Sequence, residues 1–107
     1  MSAPFVSQLR SARAPIELVK PGAGSITLRV EASDIWEAVR VIARPDSVVA
    51  ELKQRVVTQL FPKDMVGDFV MKFRGWEVLD ELATIAQAGL VDGSILLLAY
   101  RRRRPVR

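Results

Sequence analysis

The side chains best suited to chemistry in this sequence are arginines gathered at one end. Arg101, Arg102, Arg103 and Arg104 run consecutively, and Arg107 follows after Pro105-Val106. A guanidinium presents a planar fork of donors that matches phosphate oxygens, so the run reads as an electrostatic clamp for an acidic partner, RNA phosphates being the sharpest form of that reading. Lys72 and Arg74, on a strand predicted to lie beside the run, would assist, and Trp76 just beyond them would stack on a base or anchor a protein contact. The bland readings of the same tail are a solvated terminus or a nuclear-import tract. The chain carries 16 Lys+Arg against 12 Asp+Glu, a net charge of +4, yet residues 1–100 alone carry a net −1. The basic character is therefore an appendage on a near-neutral body, which suits a local contact better than a nucleic-acid-binding surface spread over the domain.

Other chemistry is limited by what is missing. With no Cys and no His, disulfides, thiolate or imidazole metal sites and every dyad or triad needing an imidazole base are excluded. Asp34, Glu37, Asp46, Glu51, Asp64, Asp80, Glu81 and Asp92 are scattered without metal-ligand spacing, Asp80-Glu81 reads as a solvated turn, and there is no glycine-rich phosphate loop. We expect no catalytic residue, metal, cofactor or small-molecule substrate, hence a binding protein and not an enzyme. No apolar run approaches the roughly 20 residues that cross a bilayer, and no secretory h-region opens the chain, so a cytoplasmic or nuclear protein is expected. Arg10 and Arg13 among Ser2, Ser7 and Ser11 fit an organelle transit peptide loosely and a flexible leader better.

The elements that must position these residues fit one domain of 107 residues, half of them hydrophobic. Residues 1–24, with Pro4, Pro15 and the Pro21-Gly22-Ala23-Gly24 stop, read as a flexible leader or linker. Within it Ile16–Val19 has the make-up of a strand, which Pro15 and Pro21 restrict to a sheet edge. Apolar residues alternate in Ile26–Val30 and again in Val39–Ala43, predicting an antiparallel hairpin turned at Ser33–Trp36 with Ile35 and Trp36 at its tip. Pro45 then stops the strand, Asp46 or Ser47 is placed to cap a helix, and Val49, Leu52, Val56 and Leu60 recur at helical spacing up to Phe61-Pro62. Phe69, Met71 and Phe73 share one face of a third strand that ends at Gly75. Residues 79–91 read as a turn or short helix carrying Leu79, Leu82, Ile85 and Leu90, and the Asp92-Gly93 turn leads into Ile95–Tyr100, apolar on both faces like a central strand.

This order, two strands, a helix, a strand, a short turn and a last strand, resembles the ubiquitin-like β-grasp family. Three segments carry the likeness: Pro45-Asp46-Ser47-Val48-Val49-Ala50-Glu51-Leu52-Lys53 at the start of the helix, Phe73-Arg74-Gly75-Trp76-Glu77-Val78-Leu79 at the turn after the third strand, and Ala88-Gly89-Leu90-Val91-Asp92-Gly93-Ser94-Ile95-Leu96-Leu97-Leu98 at the close. The resemblance implies an α+β fold with a mixed sheet of four to five strands packed on one main helix, a domain over 25–100 and a basic tail over 101–107. Conjugated relatives end in Gly-Gly, and here no Gly follows Gly93, so covalent attachment is not expected.

What remains by resemblance is a non-covalent protein-interaction module, an adaptor within a larger assembly, comparable to the bacterial ubiquitin-like proteins linked to type VII secretion. Its protein-binding surface would be the outer sheet face, Arg40, Ile42, Lys72, Leu97 and Ala99, with Trp76. Lys72 stands where ubiquitin carries the central aliphatic residue of its recognition patch. The alternative is RNA binding through Lys72, Arg74, Arg101, Arg102, Arg103, Arg104 and Arg107, as in ubiquitin-like domains of splicing factors that bind RNA through a basic tail.

Overall fold

The protein was analysed as a computed structural model, which describes residues 14–101; most of the predicted leader and the arginines from Arg102 onward lie outside the described residues. The strands are β1 (Ile16–Glu17), β2 (Ile26–Ala32), β3 (Glu37–Ala43), β4 (Phe69–Phe73), β5 (Trp76–Glu77) and β6 (Ile95–Tyr100), with one α-helix, α1 (Val49–Leu60). They form a single mixed sheet in the order β1-β3-β2-β6-β4-β5. β2 and β3 are the predicted antiparallel hairpin, with Leu28 opposite Val41, and β6 runs parallel to β2 and antiparallel to β4. The last strand is thus central, as its two apolar faces require. Six strands replace the expected four to five because two two-residue strands, β1 and β5, are added at the edges.

Strand alternation sends Leu28, Val30, Val39, Val41, Phe69, Met71, Leu96 and Leu98 to one face, where Val49, Leu52 and Val56 of α1 cover them. Ile26 and Phe73, also expected in the core, pack against its rim, and Ala32, Ala43, Val57, Leu60, Phe61 and Ile85 join it. The stretch expected to be leader contributes as well. Ile16 pairs with Val41 in a parallel edge ladder and is buried in the same cluster.

The helix begins without the side-chain cap predicted at Asp46 or Ser47. The Ser47 hydroxyl instead accepts from the Arg44 N–H at 3.0 Å and closes the turn before the helix. The first helical N–H groups are satisfied from residues 81–83: Val49 N–H donates to the Ala83 carbonyl at 3.0 Å and Ala50 N–H to that of Glu81 at 2.7 Å. In return Ile85 N–H donates to the Ser47 carbonyl and Ala86 N–H to that of Pro45. Lys53, read from the sequence as one of the charged residues between apolar positions, is buried, and its ammonium meets the Glu81 carboxylate at 2.7 Å. Residues 79–91 are accordingly turns tied to the helix start, in which Ile85 and Leu90 reach the core while Leu79 and Leu82 face solvent.

Since Leu52 and Leu96 are fully enclosed, Leu52→Ala or Leu96→Ala is expected to lower unfolding free energy by ~2–5 kcal/mol. Denaturant titration reads this directly, and a loss under about 1 kcal/mol at both positions would place them outside a close-packed core.

Candidate functional site

Three parts of the surface hold the residues singled out above. On the outer sheet face, β-pairing aligns Glu31, Leu97, Lys72 and Glu77 in one row across β2, β6, β4 and β5. Ala99 sits one step along β6, opposite Val70. Lys72, Leu97 and Ala99 are therefore neighbours. Arg40 and Ile42 are not part of that cluster: Ile42 pairs with Glu17 on one side and Thr27 on the other, at the β1 edge. Between the two groups runs the polar outer face of β2, Thr27, Arg29 and Glu31, in which Arg29 and Glu31 form an ion pair at 2.9 Å. The outer face is thus mixed, with its half-buried apolar residues separated by charges.

The second part is the β4–β5 turn. Arg74 and Gly75 both have positive φ, 57° and 85°, the two-residue hairpin geometry that matches strand twist and that glycine adopts without a steric cost. Arg74 is held there with its guanidinium 5.3 Å from the centre of the Phe73 ring. The turn fixes Trp76 opposite Phe73, hence on the helix side of the sheet and away from Lys72, which pairs with Glu77. Trp76 and Leu79 are each 80% exposed. They line an open groove of about 550 Å³ whose floor includes Phe73 and Val78 and whose far wall is Ala83, Gln87 and Ala88. Leu79, which the sequence reading placed only in a turn or short-helix segment, stands exposed at the rim of this groove.

The third part is the root of the tail. The Arg101 N–H donates to the Asp68 carbonyl at 2.7 Å, extending the β4–β6 ladder by a step, and its guanidinium lies 3.4 Å from the Glu77 carboxylate. Arg74 stands at the other end of β4, roughly 20 Å away by strand rise. The Arg101 guanidinium and Lys72 thus both lie beside Glu77 on the outer face, while Arg74 stands apart at the turn. Where the tail departs, the surroundings are acidic: the Tyr100 hydroxyl donates to Asp64 at 2.7 Å, its N–H donates to Asp34 at 3.2 Å, and its ring stacks on Phe69 at 4.5 Å.

No family model matches the chain, and no curated protein matches it either. Solved structures do. The ubiquitin of Caldiarchaeum subterraneum superposes with a TM-score of 0.64 at 16% identity, over 75% of this chain and 98% of its own. The ubiquitin-like domain of an Arabidopsis thaliana protein gives 0.63 at 12%, over 84% and 92%, and that of Plasmodium falciparum Dsk2 gives 0.62 at 19%, over 72% and 99%. The fold is the ubiquitin-like β-grasp.

At these identities the likeness is one of fold, and the surface must be read from this chain's own residues. On this ubiquitin-like sheet Lys72 stands on the outer face of β4, and Trp76 and Leu79, two of the large exposed apolar residues, lie at and just beyond the adjoining turn, with Trp76 on the other side of the sheet. Trp36, at the tip of the first hairpin with φ 55°, is 73% exposed, so its ring is not folded over the core. Among the described residues no group of three or more acids is gathered to hold a metal ion, and no helix is long and apolar enough to cross a membrane.

Tyr100 is the one tyrosine in the chain, which makes its site measurable. The hydrogen bond to Asp64, then partial loss of water, then the charges of Asp64, Asp34 and Asp68 all favour the neutral phenol, raising its pKa above the ordinary 10.0. The stabilisation this represents is present below pH 10 and is lost as pH rises through the raised value. An absorbance titration of the phenolate should give a midpoint above 10 that Asp64→Asn moves down; a midpoint at or below 10 in the unsubstituted chain would contradict the contact.

Proposed function

We propose that the chain is a non-covalent protein-interaction module of the ubiquitin-like type, acting as an adaptor within a larger assembly, and that its partner seats on the β4–β5 turn with Trp76 as the anchor. The observation carrying this is a tryptophan 80% exposed on a two-residue turn, next to an equally exposed Leu79 and an open groove. Exposing two large apolar side chains together is unfavourable in water, and tryptophan in a rigid frame is the residue type most enriched where partners bind. Lys72, Leu97 and Ala99 lie on the outer face, on the opposite side of the sheet from Trp76, and do not border this anchor. Arg40 and Ile42 are too far along the sheet to share the same contact.

The RNA reading through Lys72, Arg74, Arg101 and the arginines beyond is the weaker one. Its support is the charge arithmetic of the sequence. Against it stand the separation of Arg74 from Arg101, the pairing of Arg101 with Glu77, and the aspartates around Tyr100, which lower the local attraction for a polyanion.

The two readings separate in one experiment. Full-length protein and its Trp76→Ala variant are used as bait in extract of the source cell, with and without nuclease. The protein reading predicts capture that survives nuclease and is lost in Trp76→Ala, while variant stability changes by less than about 0.5 kcal/mol, as for an exposed side chain. Capture that nuclease abolishes, or that Trp76→Ala leaves intact, overturns it.

A further inference from the structure

The face around the β4–β5 turn carries a projection and a recess side by side. Trp76 and Leu79 stand out into solvent, and the open groove of about 550 Å³ beside them is floored by Phe73 and Val78. Two charges of opposite sign on this groove are without a counter-ion. Arg74 lies against the Phe73 ring and makes no ion pair among the described residues. The Asp80 carboxylate accepts the Leu82 N–H at 3.2 Å and likewise meets no cation among the described residues. The third charge on the groove, Glu77, is already held by Arg101.

These parts are laid out in an order that a two-fold axis can use. Val78 N–H donates to the Met71 carbonyl at 2.8 Å, so the chain after the turn runs back along β4, with Arg74 at the turn and Asp80 away from it. The exposed apolar pair stands between the two charges in the chain. Rotating a second copy by 180° about an axis through that pair sets each Arg74 before the second copy's Asp80 and each Trp76 before the second copy's groove. A patch that offers knob, hole and both signs of charge meets the condition of an isologous contact, in which the same surface serves both sides.

We propose that this face pairs with a second copy of the chain in a two-fold dimer, the Trp76 of each copy seated in the groove of the other and Arg74 facing Asp80 across the axis. Pairing takes the exposed apolar side chains out of water and gives both unpaired charges a counter-ion. An aromatic side chain buries about 150–250 Å², so two tryptophans, two leucines and the groove walls they cover come to roughly the 1,200 Å² at the lower limit of specific interfaces. A contact of that size is expected to associate at about 10–100 μM and to open readily. The dimer covers the surface on which the partner proposed above seats, so self-pairing regulates access to it. That consequence rests on the partner reading; the dimer does not.

The test is the oligomeric state of the full chain, followed by sedimentation velocity from about 5 to 500 μM. The unsubstituted chain should pass from monomer to dimer over that range, and Trp76→Ala should stay monomeric. Each charge substitution is felt twice in a two-fold contact, so Arg74→Glu and Asp80→Arg should each weaken association about tenfold or more. The double variant Arg74→Glu/Asp80→Arg restores opposite signs at both positions and should return to within about threefold of the unsubstituted value, a rescue that a folding defect in the single variants would not allow. A monomer throughout, a dimer that Trp76→Ala leaves intact, or a double variant no tighter than the single ones overturns the proposal. Fluorescence gives a second readout: in a Trp36→Phe chain Trp76 is the one tryptophan left, and its emission should move to shorter wavelength as the dimer forms. Emission that stays unchanged over the same concentrations also overturns it. Capture from extract is measured separately, so the loss of either reading leaves the other to its own experiment.

Discussion

The arrangement rests on the docking of residues 81–86 against the start of α1. A helix start leaves its first N–H groups without intrahelical partners, and here the donors of Val49 and Ala50 find the carbonyls of Ala83 and Glu81, not a side chain. The Lys53–Glu81 ion pair sits beside these bonds with the ammonium almost wholly buried. A charge taken out of water in this way is tolerable only with its partner in place, so the pair dictates where the 79–91 segment lies as much as it stabilises it. Ile85 and Leu90 then enter the core from a segment that has no helix or strand of its own.

The surface follows from that docking. Ala83, Gln87 and Ala88 form one wall of the groove, and the β4–β5 turn forms the other, with Trp76 and Leu79 at its lip. Should the segment detach, the groove loses its wall and Lys53 its counter-ion together. The outer face depends on the sheet alone, and there the charges of Arg29, Glu31 and Lys72 interrupt the apolar residues. The two edges differ in kind: β5 is covalently fixed by a two-residue turn, while β1 is attached through a longer connection.

Most of the sheet was legible because alternation has a period of two and errors of register would put Leu28, Val30, Leu96 and Leu98 in water. The helix was legible from Val49, Leu52, Val56 and Leu60. Lys53 was misread because a lysine on a helix is ordinarily solvated; the available signal was the Val49, Lys53, Val57 spacing, which adds it to the buried face. The cap was misread because Ser47, a good capping type, is used by the preceding turn. Ile16 lay in a stretch whose prolines argued for a linker, and its burial depends on a pairing with Val41 that local composition does not encode. For the site, the turn at Arg74-Gly75 was visible, but the face on which Trp76 lands follows from its register opposite Phe73, which sequence spacing alone left open.

The central structural claim, that a buried Lys53–Glu81 contact fixes the segment on which the groove depends, is tested most directly by a double-mutant cycle in chemical denaturation. Glu81→Ala leaves Lys53 buried without a partner and is predicted to cost about 3–5 kcal/mol, while Lys53→Met combined with Glu81→Ala, which removes the stranded charge, recovers most of that loss. A Glu81→Ala cost within about 0.5 kcal/mol, as for an ordinary surface substitution, or a double variant no more stable than the single one, would contradict the account.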